Sequence, residues 1–233
     1  MEHHTKGGGA VEARLDTIPR GETLRYLAWH GTPLTEELEE DLDRCEALIL
    51  EHARPRLVWR LFELTDGGRF AGTDYTPAGR DIKDFLAGCT QAVLFAATLG
   101  METESLIRRT QLRSMADAVL LDAVGSAAIE AVCDAFCADL SKELAPRHLT
   151  GRFSPGYGDY PLEEQRAVFR LLDVSRRIGV SLTESGLMIP QKSVTALIGV
   201  SDTPRESRQS GCGDCLGRFA CAYRKEGKHC GKA

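Results

Sequence analysis

From residue 103 to 144 the chain is alanine-rich and carries Leu106, Leu112, Met115, Val119, Ala123, Ala127, Ala131 and Ala135 at helical intervals. That spacing predicts one long helix, and its small residues let a neighbouring element pack closely. Gly125 marks either a close contact or a kink. Two apolar runs flank this region: QAVLFAATL, residues 91–99, is about one strand long, and the apolar KSVTALIGV, residues 192–200, reads as a central strand. A long helix beside central strands points to a mixed, layered domain.

The remaining segments fill in that domain. Residues 17–29 read as a short helix. Residues 34–53 read as a stronger one, with acidic residues crowding the early turns and Pro55 as its stop. RLVWRLFEL, residues 56–64, alternates as a strand does, and TDGGRF after it reads as a turn. TPAGRDIKDFLAGC suggests a helix closed by Gly88. Residues 161–177 predict a helix with Pro161 at its start, Glu163 and Glu164 in its first turn, and Gly179 past its end. GVSLTES and GLMIP supply further short strands. Strands and helices neither alternate regularly nor separate fully, so the expected fold is α+β, a mainly antiparallel twisted sheet with long packing helices. The expected divisions are a disordered N-terminus over 1–15, a domain over 16–202 and a cysteine-rich tail over 203–233.

Composition narrows the function. The formal net charge is -5 and there is no basic block, which argues against a nucleic-acid surface. No apolar run approaches the roughly 20 residues that span a bilayer, and the N-terminus lacks an apolar signal core. A cytoplasmic protein is expected, with no membrane partner. In a reducing compartment Cys45, Cys89, Cys133 and Cys137 read as small buried apolar residues. There is no G-x-G-x-x-G segment and no P-loop.

RFSPGYGDYPLEEQ, from residue 152, is followed by LLDVSRRIGVSLTESGLMIPQKSVTALIGV. Together they resemble the activation domain of vitamin B12-dependent methionine synthase, in particular its free-standing form. The matching positions are Arg152 with Gly156 and Tyr157, Leu171 to Val174, Ile178 with Gly179, Leu182 to Ser185, Met188 with Pro190, and Ser193 to Thr195. DIKDFLAGC and LFAATLG extend the resemblance upstream. It implies an accessory protein that binds S-adenosylmethionine and reactivates, in trans, the cob(II)alamin of a methionine synthase or another corrinoid protein. It also implies a low-potential electron donor such as flavodoxin or ferredoxin. The Asp-x-His-x-x-Gly motif of cobalamin carriers is absent: Pro146 stands where the Asp belongs before His148 and Gly151, and PRHLTG reads as a loop. Cobalamin is therefore expected only on the partner.

Residues in the 152–161 stretch suit that ligand. Arg152 offers a planar fork to a carboxylate. Ser154 is a further candidate ligand-binding residue, Pro155 stiffens the loop, and Gly156 and Gly158 allow backbone to reach a ligand directly. Tyr157, the candidate catalytic residue, faces either the sulfonium or the partner's corrin. Asp159 is expected to cap the helix starting at Pro161. Glu130 and Glu184 are either acceptors for the ligand's ammonium or ribose hydroxyls, or solvated charges. Ser193 and Thr195 cap or line the last strand. The large synthase domain has an aromatic pair where this chain has Leu197, Ile198 and Gly199, and the family's early ligand-binding aspartate is not evident.

The tail places Cys212, Cys215, Cys221 and Cys230 in a C-x2-C-x5-C-x8-C spacing. Four thiolates with one C-x-x-C suit zinc or an iron-sulfur cluster, but the spacing matches no standard pattern, and free thiols stay open. The alternative reading is an electron-transfer or metal-binding protein that works through this tail.

Overall fold

The computed structural model describes residues 10–29 and 32–204. The cysteine tail and residues 1–9 lie outside the described residues. In chain order the elements are β1 (Ala10–Glu12), α1 (Arg20–Tyr26), α2 (Glu36–His52), β2 (Arg56–Thr65), β3 (Arg69–Phe70), α3 (Arg80–Leu86), β4 (Gln91–Thr98), α4 (Met101–Gln111), α5 (Met115–Glu143), β5 (His148–Leu149), α6 (Gln165–Leu172), α7 (Val174–Ile178), β6 (Ser181–Leu182), β7 (Met188–Ile189) and β8 (Ser193–Ser201).

The main sheet runs β1-β2-β4-β8-β5, with β3 hairpinned onto β2, and every pairing is antiparallel. The expected α+β architecture is present. Both apolar runs became the inner strands, and all eight residues of β4 are buried. A strand buried on both faces needs no alternation, which is why these runs read as continuous. Alternate residues still serve different layers. Val93, Phe95 and Ala97 meet a core completed by α2, α4 and α5, whereas Ala92, Leu94 and Ala96 meet one completed by α3, α6 and α7.

Three sequence expectations change. The helix expected over 103–144 is two helices, because Ser114 is extended and its Oγ accepts the Asp117 N–H at 3.2 Å, starting α5 afresh. Leu112, expected on the packed face, is 88% exposed at that corner. The helix expected over 161–177 is a 3-10 turn at Leu162–Glu164, then α6 and α7, separated by Asp173 in the left-handed region at φ 53°. Within the stretch expected to be disordered, residues 10–12 form β1 on the edge of β2.

Gly125 proves to be a close contact rather than a kink. The Lys192 stem lies 3.3 Å from where a Cβ would sit, and its Nζ reaches Asp122 and Ser126, both at 2.8 Å. That clasp ties the middle of α5 to the start of β8.

Candidate functional site

PRHLTG, expected to be a loop, supplies β5 and a break in its register. His148 and Leu149 stand opposite Ser201 and Val200. In that register Phe153 would face Ala196, but it bridges Leu197, bonding it in both directions at 2.9 and 2.8 Å. One extra residue therefore sits within 150–152, which makes a β-bulge. Thr150 holds the bulge, its Oγ1 accepting the Gly199 N–H at 2.8 Å. A Cβ on Gly199 would lie 2.6 Å from the Cys89 sulfur and 3.1 Å from Thr150, so the strand must be bare there.

The bulge decides where Arg152 goes. Phe153 turns to the α6 layer, tilted against Phe85 and Tyr160 at 5.1 and 6.2 Å between ring centres. Arg152 turns the other way, onto α5. Its Nη2 donates to Glu130 Oε2 at 2.5 Å and its Nη1 to Asp134 Oδ1 at 2.9 Å. Glu130 and Asp134 are one helical turn apart and present a paired carboxylate edge. Burial opposes the charge on Arg152, but Cys133, Glu130, Cys137 and Asp134 outweigh it and raise the pKa. The guanidinium is thus a fixed cation between two carboxylates, a cluster with a formal net charge of -1. Its side chain remains 23% exposed, with Glu130 at 31% and Asp134 at 39%, so the cluster opens to solvent.

Two adjoining features were not read from the sequence. Residues Arg14 to Asp16, with Thr17 and Pro19, run beside α5 and enclose a groove of about 240 Å³ against Ala131, Asp134 and Ala135. On α1, Tyr26 carries the Arg25 guanidinium over its ring at 4.4 Å, and burial and Glu130 raise its pKa. Asp134 was within reach of the sequence, because it lies four residues after Glu130. The groove was not, because it depends on how the segment before α1 crosses α5.

Beyond Phe153 the loop is pinned from inside. Pro155 and Tyr160 are buried, and Gly156, at φ 92°, donates its N–H to the Tyr160 carbonyl at 2.8 Å. Tyr157 donates to the Ser154 carbonyl at 3.2 Å, while its side chain stands out of the loop, 67% exposed. The Tyr160 and Tyr75 hydroxyls meet at 2.7 Å under the loop. Burial pushes Tyr160 up to about 12 and raises Tyr75, so both phenols stay protonated at neutral pH.

Asp159 does not cap the helix after Pro161. Its carboxylate accepts the Arg80 and Asp81 N–H groups at 2.7 and 2.9 Å, and Asp81 in return accepts the Asp159 N–H at 3.1 Å. This reciprocal clasp starts α3 and stitches it to the loop, holding the Asp159 carboxyl below its usual pKa. Leu162–Glu164 begins without any side-chain cap.

Glu184 is exposed, and its carboxylate pairs with no cation among the described residues; only its carbonyl is engaged, by Arg166 at 2.6 Å. Ser193 bonds Thr98 and the Pro190 carbonyl, while the buried Thr195 hydroxyl has no partner among the described residues. Leu197 and Ile198 are fully buried and cannot stack on a ligand. Cys45 and Cys133 are buried as expected, whereas Cys89 and Cys137 are half-buried. Burial pushes the Cys45 thiol up to about 11. Among the described residues no group of three or more His, Cys, Asp or Glu is placed to hold a metal. Cys212, Cys215, Cys221 and Cys230 lie outside the described residues. Among the described residues no helix is long and apolar enough to cross a membrane.

A family model described as vitamin B12 dependent methionine synthase, activation domain, matches residues 82–215, more than half of the chain. The chain belongs to this family. The matched span holds Glu130, Asp134, Arg152 and Tyr157, while α1 and the segment before it lie upstream. Among solved structures, a crystal structure of the MetH reactivation domain bound to AdoHcy matches with a TM-score of 0.60 at 17% identity, covering 97% of this chain and 87% of that one. At that identity the likeness speaks for the shared fold, the helices and curled antiparallel sheet. No curated protein sequence matches the chain.

Proposed function

We propose that this protein binds S-adenosylmethionine at the Arg152 cluster and supports, in trans, the reductive methylation of cob(II)alamin on a cobalamin-dependent methionine synthase. Membership of the activation-domain family supports the reaction class. The observation that carries the site is the bulge that aims Arg152 between Glu130 and Asp134. S-adenosylmethionine bears one carboxylate, one ammonium and one sulfonium, a net charge of one positive. The cluster has the complementary net charge, with a fork for the carboxylate and two acceptors for the cations. Tyr157, exposed on the loop, is positioned to meet what approaches from outside, the sulfonium methyl or the partner's corrin.

In this reading a low-potential donor of the flavodoxin or ferredoxin class supplies one electron to the partner's cobalt. The methyl group then leaves the sulfonium for that metal, and S-adenosylhomocysteine remains in the site. The cysteine tail would serve as an iron-sulfur relay for that electron, as a structural zinc site, or as free thiols. We test the ligand first: titration calorimetry should show S-adenosylmethionine binding, lost in Arg152→Ala. Absence of binding by the wild-type protein, or unchanged binding by the variant, would overturn the reading. Reactivation of an oxidised methionine synthase with and without the protein tests the trans role.

A further inference from the structure

We infer that Asp134 is a ligand-contacting, specificity-determining residue: its carboxylate accepts the ammonium of the ligand's amino-acid end while Arg152 holds the carboxylate of that same end. The inference rests on the proposed binding of S-adenosylmethionine.

An α-amino acid carries its ammonium and carboxylate on a single carbon, so its receptor needs a cation and an anion side by side. Arg152 Nη1 and Asp134 Oδ1, 2.9 Å apart, are such a pair. Both keep some exposure, and α5 together with the bulged strand fixes their separation. A guanidinium has five N–H donors, so one edge can receive a ligand carboxylate while other donors keep the α5 acids. Of those two acids, only Asp134 also lines the groove between α5 and residues 14–19. That groove, at about 240 Å³, falls below the roughly 300–1,000 Å³ of a pocket for a whole small molecule. It suits the ammonium end of the amino-acid arm, with Arg152, bonded to Asp134 but not itself lining the groove, beside it and the nucleoside outside it. Glu130 does not line that groove, and its charge raises the Tyr26 pKa instead.

The competing account is that Asp134 only positions Arg152, and ligand chemistry separates the two. Decarboxylated S-adenosylmethionine keeps the amine and sulfonium but has nothing for Arg152 to grip, and 5′-methylthioadenosine lacks the whole arm. Calorimetry with the full chain should show Asp134→Asn weakening S-adenosylmethionine by about tenfold or more, the loss of one hydrogen bond to a charged group. The same factor should appear with the decarboxylated ligand, and 5′-methylthioadenosine should bind both proteins equally. A penalty under about threefold, a penalty that vanishes with the decarboxylated ligand, or wild-type protein that binds that ligand no more tightly than 5′-methylthioadenosine would each overturn the inference. Where Asp134→Asn fails to fold, Asp134→Ser reads the same contrast. Failure of S-adenosylmethionine itself to bind wild-type protein refutes the proposed function instead, so the two failures are distinguishable.

Discussion

The hydroxyls of Tyr75 and Tyr160 touch beneath the candidate ligand loop, 85 residues apart in sequence, and both side chains are buried. Removing one leaves the other with a desolvated polar group, at a cost of about 1–3 kcal/mol. Removing both deletes that bond together with its unpaired partner, leaving the buried Glu164 oxygen as the polar group beside the pair. Tyr75→Phe and Tyr160→Phe should each lower the melting temperature by roughly 2–4 °C per kcal/mol in a chain of this size. The double variant should fall well short of the sum of the two. Urea unfolding of the four proteins provides the cycle. Additivity within about 0.5 kcal/mol would refute the reasoning, because uncoupled sites add that closely.

The same pair makes an alkaline prediction. Burial raises Tyr160 from 10.0 to about 12 in the folded chain. Above pH 10 the unfolded chain therefore releases a proton that the folded chain retains. The stability is fully present below pH 10 and is lost as pH rises toward 12. Tyr160→Phe should flatten that decline, and a decline equally steep in the variant would show that the phenol does not cause it.

Two more perturbations probe how the site is held. Gly158 sits at φ 53°, and a Cβ there would strike the Asp81 carboxylate; Gly158→Ala should break the Asp81–Asp159 clasp and weaken S-adenosylmethionine binding in calorimetry, with unchanged affinity counting against the loop's role. Ser114→Ala removes the cap of α5 and should cost about 0.5–2 kcal/mol in chemical unfolding, without altering ligand affinity.

Much of the fold was legible because burial on both faces leaves a plain mark: 92–97 and 196–200 are apolar without alternation and lie in β4 and β8. The helix breaks were harder for two different reasons. Ser114 with Asp117 is a readable cap signal, but the alanine spacing around it continues across the break. Asp173 has no such signal, since aspartate tolerates both helical and left-handed backbone and packing decides between them. Arg152 and Glu130 were identified as site residues, and the structure joins them. Asp159 was assigned to the nearest helix, whereas its partners lie 78 and 79 residues away, a pairing that no local pattern encodes.

The bulge before Arg152 makes the site depend on parity. In an unbroken register Arg152 would stand opposite Leu197, its side chain aimed into the aromatic layer where Phe153 now packs. At this chain length the bulge therefore acts as a binary selector, assigning the cation to the carboxylates or to the interior. Closing it up without shortening the chain would exchange the fates of two neighbouring side chains at once, burying a charge and exposing a phenyl ring. Deleting Thr150 or Gly151 would instead remove the extra residue, leaving Phe153 opposite Leu197 and Arg152 opposite Ile198, still on the α5 side.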